Sequence, residues 1–123
     1  MKVLLDQTFP ALIATRSRDG HQLERYDNHC DDLGLIEAAA DGYFDVVVML
    51  GTSVLADEIL LDRCAELKIA LAATAEEDPA IGVIHVTANL RALAQRVSPG
   101  VILVVKAREV AIYLSQPNLS QPI

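Results

Sequence analysis

Three groups of acids punctuate the chain: Asp6; then Asp27, Asp31 and Asp32; then Glu76, Glu77 and Asp78. Each group follows a short apolar run. In an open parallel sheet, residues just past the C-terminal ends of strands face the ligand crevice. Carboxylates from separate strand ends can therefore meet on one ion. Mg²⁺ and Mn²⁺ take oxygen ligands and keep part of their water shell, so a few carboxylates suffice. Such an ion activates water and offsets charge on a transferring phosphate. A plainer role competes at most of these positions. Asp31, Asp32 and Asp78 suit helix N-caps, and Glu76-Glu77 suits a solvated loop. Asp6, at the end of Lys2-Val-Leu-Leu, is the acid on which a shared site would depend.

Other reactive residue types carry weaker patterns. His21, His29 and His85 have no HxxxH or HExxH spacing, and His85 lies beside an apolar stripe, where a packed histidine is expected. Cys30 and Cys64 lack CxxC spacing, which argues against structural zinc and a disulfide framework and leaves buried free thiols as the expectation. His29 beside Cys30 is no dyad by adjacency alone. Gly51-Thr52-Ser53 could form a phosphate-binding turn and is a weaker small-molecule option. Neither GxxxxGK[ST] nor GxGxxG is present. The arginines are scattered, as on a solvated surface.

The elements that would position these residues alternate in type. Lys2–Asp6 reads as a buried strand. Thr8 can cap a helix from Pro10 to Asp19-Gly20, with Gly20 as its left-handed exit. His21–Tyr26 is a more exposed strand, and Leu33–Ala40 a helix closed by Asp41-Gly42. Tyr43–Gly51 contains a continuous β-branched run, the pattern of a central strand buried on both faces. Thr52-Ser53 can cap a helix from Val54 to about Leu67, and Lys68–Ala73 is another buried strand. Asp78-Pro79 starts a helix. Val83, Val86, Leu90, Leu93 and Val97 then share one helical face. Gly82–Val86 is β-branched enough for a strand, but the four-turn spacing favours helix. Val101–Val105 and Val110–Leu114 are strands joined by a polar turn. The alternation predicts an α/β fold: a mostly parallel central sheet with helices on both faces. Residues 1–114 form one domain in this reading, and 115–123 a frayed tail.

The bulk properties set outer bounds. Hydrophobic residues make up 52% and mean hydropathy is +0.31, yet 22% of residues are charged, which excludes a disordered chain. No apolar run reaches the roughly 18 residues of a membrane span. The first apolar segment breaks at Asp6, so no signal peptide is read, and a cytoplasmic protein without membrane contact is expected. The net charge of −7 and pI near 4.7 argue against a broad grip on nucleic-acid backbone, though not against a small nucleolytic site. The apolar excess suggests a homodimer.

Lys2-Val-Leu-Leu-Asp6, Gly20-His21 and above all Leu35-Ile-Glu-Ala-Ala-Ala-Asp-Gly-Tyr-Phe-Asp-Val-Val-Val48 resemble the small PIN-like domains of bacterial toxin–antitoxin type. Those domains open with a "lLDe" strand and continue through "eLLxxAeexGfDvlvTxD". The resemblance covers roughly residues 1–105 and rests on short, mostly apolar motifs. It implies a three-layer α/β/α fold and a Mg²⁺- or Mn²⁺-dependent ribonuclease, with RNA as substrate and a cognate antitoxin or other protein as partner. It makes Asp6 the central catalytic acid and metal ligand; in the nuclease reading neighbouring acids fill the other places, Asp32 as the second catalytic acid and Asp32, Asp31 and Glu76 as further metal ligands. The sequence departs from the pattern at three places. Gln7 replaces the second acid, Gly34 stands at the acid before the helix, and Gly51 stands at the last aspartate. The resemblance therefore carries two readings: an impaired nuclease, or an inactive PIN-like protein that works through a protein interface.

Overall fold

The computed structural model describes residues 1–10, 20–28 and 30–114. They form an α/β fold with a six-stranded, mostly parallel central sheet and four helices. The strands are β1 (Lys2–Leu5), β2 (Gln22–Arg25), β3 (Val46–Met49), β4 (Ala70–Thr74), β5 (Ile102–Val105) and β6 (Val110–Leu114). The helices are α1 (Asp32–Asp41), α2 (Glu58–Leu67), α3 (Pro79–Ala88) and α4 (Leu90–Arg96). The sheet order is β2-β1-β3-β4-β5-β6, and only the β5–β6 pair is antiparallel.

Burial follows the sequence pattern. Every side chain of β3 and β4 is buried, because helices cover both faces there. Leu35, Ile36 and Ala39 of α1 and Leu60, Leu61 and Cys64 of α2 pack with Leu4, Val47 and Leu71 on one face. Val86 of α3 and Leu90 and Leu93 of α4 pack with Leu5, Phe9, Val48 and Leu103 on the other. The arrangement is compatible with three layers. No helix among the described residues is long and apolar enough to cross a membrane.

The crossovers do not all have one hand. β2→β3, β3→β4 and β4→β5 step in the same direction across the sheet. The first two pass over the α1–α2 face and the third over the opposite face. The β4→β5 connection is therefore opposite in hand to the two before it, an exception in parallel sheets.

Several boundaries differ from the sequence reading. The helix expected from Val54 to Leu67 is a 3-10 turn, Ser53–Ala56, followed by α2. Thr52 makes no side-chain cap. Asp57 is the cap instead, accepting from the Leu60 N–H at 3.1 Å. The helix expected over 79–97 breaks at Asn89, although its apolar face is as predicted. The Asn89 amide donates to the carbonyls of His85, Lys106 and Ala107 at 2.8, 3.2 and 3.1 Å, tying the break to the β5–β6 turn. Gly20 has φ +80°, in the left-handed region that glycine favours. The helix expected after Pro10, His29 and the tail 115–123 lie outside the described residues.

Candidate functional site: an acidic cleft beside the first strand

β1 and β3 are neighbours, but the chain leaves them toward opposite faces. Phe9 packs on the α3–α4 side and Val54 on the α1–α2 side. This divergence is the switch point of a doubly wound sheet, where a crevice is expected. Asp6 stands there and stitches it. Its Oδ2 accepts the Leu50 N–H at 3.1 Å, and its backbone N–H donates to the Val48 carbonyl at 3.1 Å. Its Oδ1 accepts the Thr8 N–H at 2.7 Å and the Thr8 hydroxyl. Both carboxylate oxygens are thus engaged within the fold.

A small cleft of about 80 Å³ opens beside this clasp, between the loop after β1 and the loop after β2. Asp6, Thr8, Tyr26, Cys30, Asp31 and Asp32 contribute to its lining. Arg25 holds the two loops together: its Nη1 donates to the Phe9 carbonyl at 3.0 Å while its Nη2 pairs with Asp27 at 2.6 Å. Asp31 is the N-cap of α1 and accepts the Gly34 N–H at 2.8 Å. Asp32 begins α1 and is exposed, with no cap to make.

The electrostatics are those of crowded carboxylates. Partial desolvation, then the negative charges of Asp6, Asp57 and Asp31, hold the Asp32 carboxyl above its ordinary range. α1 and α2 both begin at the C-terminal edge of the sheet, so their N-terminal acids gather there. Asp57, the α2 cap, joins this group because α1 and α2 pack side by side. Cys30 is exposed on the cleft wall, not buried as expected, while Cys64 is buried in the core. Cys30 escapes burial because it precedes the α1 cap in a polar loop. Desolvation, then Asp31 and Asp32, pushes its thiol up.

The structure brings Asp6, Asp31 and Asp32 to one cleft and leaves Glu76 outside its lining. Glu76 turns its carboxylate onto its own loop, accepting from the N–H groups of Glu77 and Asp78 at 3.2 and 3.1 Å. Asp78 caps α3 through the Ala80 and Ile81 N–H groups. His85 is half-buried on α3, away from the cleft. Two of the departures from the PIN-like pattern have local causes. Gly51 is buried with φ +81°, and its N–H donates to the Thr74 hydroxyl at 2.9 Å. A Cβ on Gly34 would stand 3.0 Å from the Cys30 Cβ and 3.1 Å from Asp31 Oδ1.

A divalent ion needs several such donors at one point. Among the described residues no group of three or more His, Cys, Asp or Glu side chains is placed to hold one. Without such a convergence the residues present do not fit the metal centre that the resemblance implies, and Asp6 and Asp31 orient their carboxylates toward backbone N–H groups instead. Comparison with known proteins finds no matching family model, no matching curated protein and no matching solved structure.

Proposed function

We propose that the chain is a PIN-like domain that no longer hydrolyses RNA and acts through a protein–protein contact. The observation that carries this reading is the state of Asp6. It is the one acid that matches the PIN-like pattern cleanly, and its carboxylate is used as a clasp between the β1 loop and Leu50. A catalytic ion needs several ligand oxygens converging on one point, and an Asp6 carboxylate already oriented by three donors has fewer lone pairs left to turn toward one. The alternating strands and helices support the PIN-like assignment, as does the run Leu35–Val48, which supplies most of α1, the turn and the start of β3.

One observation favours the nuclease reading. Desolvation first, then the charges of Asp6, Asp57 and Asp31, raise the Asp32 carboxyl, and a cation in the cleft would relieve the repulsive part. The two readings separate by Mn²⁺ titration, followed by calorimetry, and by cleavage of a labelled single-stranded RNA. Wild type and Asp32→Asn, a change at an exposed side chain, are compared. The proposed function expects no saturable heat and no cleavage from either protein. Saturable Mn²⁺ binding lost in Asp32→Asn, together with RNA cleavage by wild type, would restore the nuclease.

A further inference from the structure

The two edges of the sheet are unlike. β2 forms one edge and carries Gln22, Glu24 and Arg25, polar groups of the kind that discourage edge pairing. β6 forms the other edge with Val110-Ala-Ile-Tyr-Leu114, which has no charge at all. Ile112, Tyr113 and Leu114 of this strand are 49%, 53% and 36% exposed. Among the described residues no strand pairs with the outer side of β6, and an open edge beside exposed apolar side chains is a template for another strand.

Backbone phase says how that strand would lie. Lys106 N–H donates to the Glu109 carbonyl at 2.8 Å and closes the β5–β6 hairpin. Residues alternate after it, so Val110 and Ile112 turn their N–H and C=O groups outward. The register skips Tyr113, a bulge that ends the regular part of the edge. The usable stretch is therefore Val110–Ile112, centred on Ala111.

The geometry points to a second copy of this chain as the occupant, paired antiparallel about a two-fold axis at Ala111. Val110 of each copy then opposes Ile112 of the other, on the face shared with Val105 and Leu103. Their outward groups exchange hydrogen bonds, and the small Ala111 side chains meet where strands approach most closely. Glu109 opposes Tyr113, so no like charges face each other. The Arg108 residues of the two copies, each three positions from the axis, lie roughly 20 Å apart at about 3.3 Å per residue, beyond the screening length. The chain is acidic overall, at −7, but Arg91, Arg96, Lys106 and Arg108 stand against Glu109 alone from α4 through β6. The acids that make the chain −7 therefore do not face one another across this edge. The assembly also closes: edge-to-edge pairing of β6 leaves only the polar β2 edges outward, and growth stops at two.

So short a strand contact buries less than a standard interface, so the dimer should dissociate on dilution. Light scattering on the full chain over a wide concentration range should show the mass rise from 13.3 kDa toward twice that value. Ile112→Lys should remain at one chain with unchanged circular dichroism. In a Cys30→Ser background, Ala111→Cys should form an intermolecular disulfide on mild oxidation, and Ile59→Cys, exposed on α2, should not. A single-chain mass at every concentration, or a dimer that survives Ile112→Lys, overturns the proposal. So does equal cross-linking at the two cysteine positions. This inference is independent of the state of the acidic cleft, since an inactive domain with a monomeric mass would sink it alone.

Discussion

Asp6 and Leu50, 44 residues apart, are joined by a carboxylate–backbone hydrogen bond of 3.1 Å at the point where the sheet changes winding direction. The bond does locally what a bound ligand does in other doubly wound sheets: it satisfies the amide exposed where β3 ends. Asp6→Ala leaves that part-buried amide without its acceptor, while the exposed Thr8 N–H can turn to water. The expected loss is about 2–3 kcal/mol, since unmet donors cost more than a hydrogen bond contributes. Urea unfolding should show a lower midpoint at unchanged slope. A loss under about 0.5 kcal/mol would mean that water replaces the clasp without cost.

Asp32 gives the fold a pH dependence of known sign. Its folded carboxyl lies above the ordinary value of 3.8, so between the two values the folded state binds more protons than the unfolded one. Stability from this group is then lost as pH rises through the folded value, and the penalty is absent below the unfolded one. Asp32→Asn removes the penalty. It should raise the melting temperature near pH 7, and that gain should shrink at roughly pH 3 and in high salt. A gain that is the same at both pH values would remove carboxylate crowding as its cause.

The fold was largely legible because its strongest signals are local. Val46–Met49 and Ala70–Thr74 are continuous apolar runs, and Asp31 and Asp78 cap the helices that follow them. The break at Asn89 was not legible, because its cause is three carbonyls, two of them in the β5–β6 turn. The spacing of Val83, Val86, Leu90, Leu93 and Val97 persists across that break, since both short helices lie on one face of the sheet. The convergence of Asp6, Asp31 and Asp32 could be read from strand ends. The occupation of Asp6 by Leu50 and Thr8 could not, since it depends on how tightly β3 approaches the first loop. The opposite hand of the β4→β5 crossover leaves no trace in periodicity.

The two thiols should react very differently. Cys64 is buried, and burial pushes its thiol up to about 12. Cys30 is exposed, but desolvation and the charges of Asp31 and Asp32 push its thiol up as well. The thiolate is the reactive form. A disulfide reagent at roughly pH 8 should therefore modify one thiol per native chain, slowly, and both after denaturation. Asp32→Asn or added salt should speed the native reaction. Rapid modification of both thiols in the native protein would contradict the packing of α2.

Gly51 is the position at which the PIN-like pattern carries its last aspartate, so Gly51→Asp tests directly whether the missing acid can be put back. The backbone there has φ +81°, in the left-handed region that costs an L side chain about 1–2 kcal/mol. The residue is buried, and a Cβ would lie 3.6 Å from the Glu77 side chain, so the new carboxylate would meet an existing one. Gly51→Asp should therefore lower the melting temperature by several degrees and gain no Mn²⁺ binding. A stable Gly51→Asp protein that binds Mn²⁺, and loses that binding in the Asp32→Asn background, would mean that the β3 turn tolerates an acid. The cleft would then be one substitution from a metal site, and the clasp reading of Asp6 would fail with it.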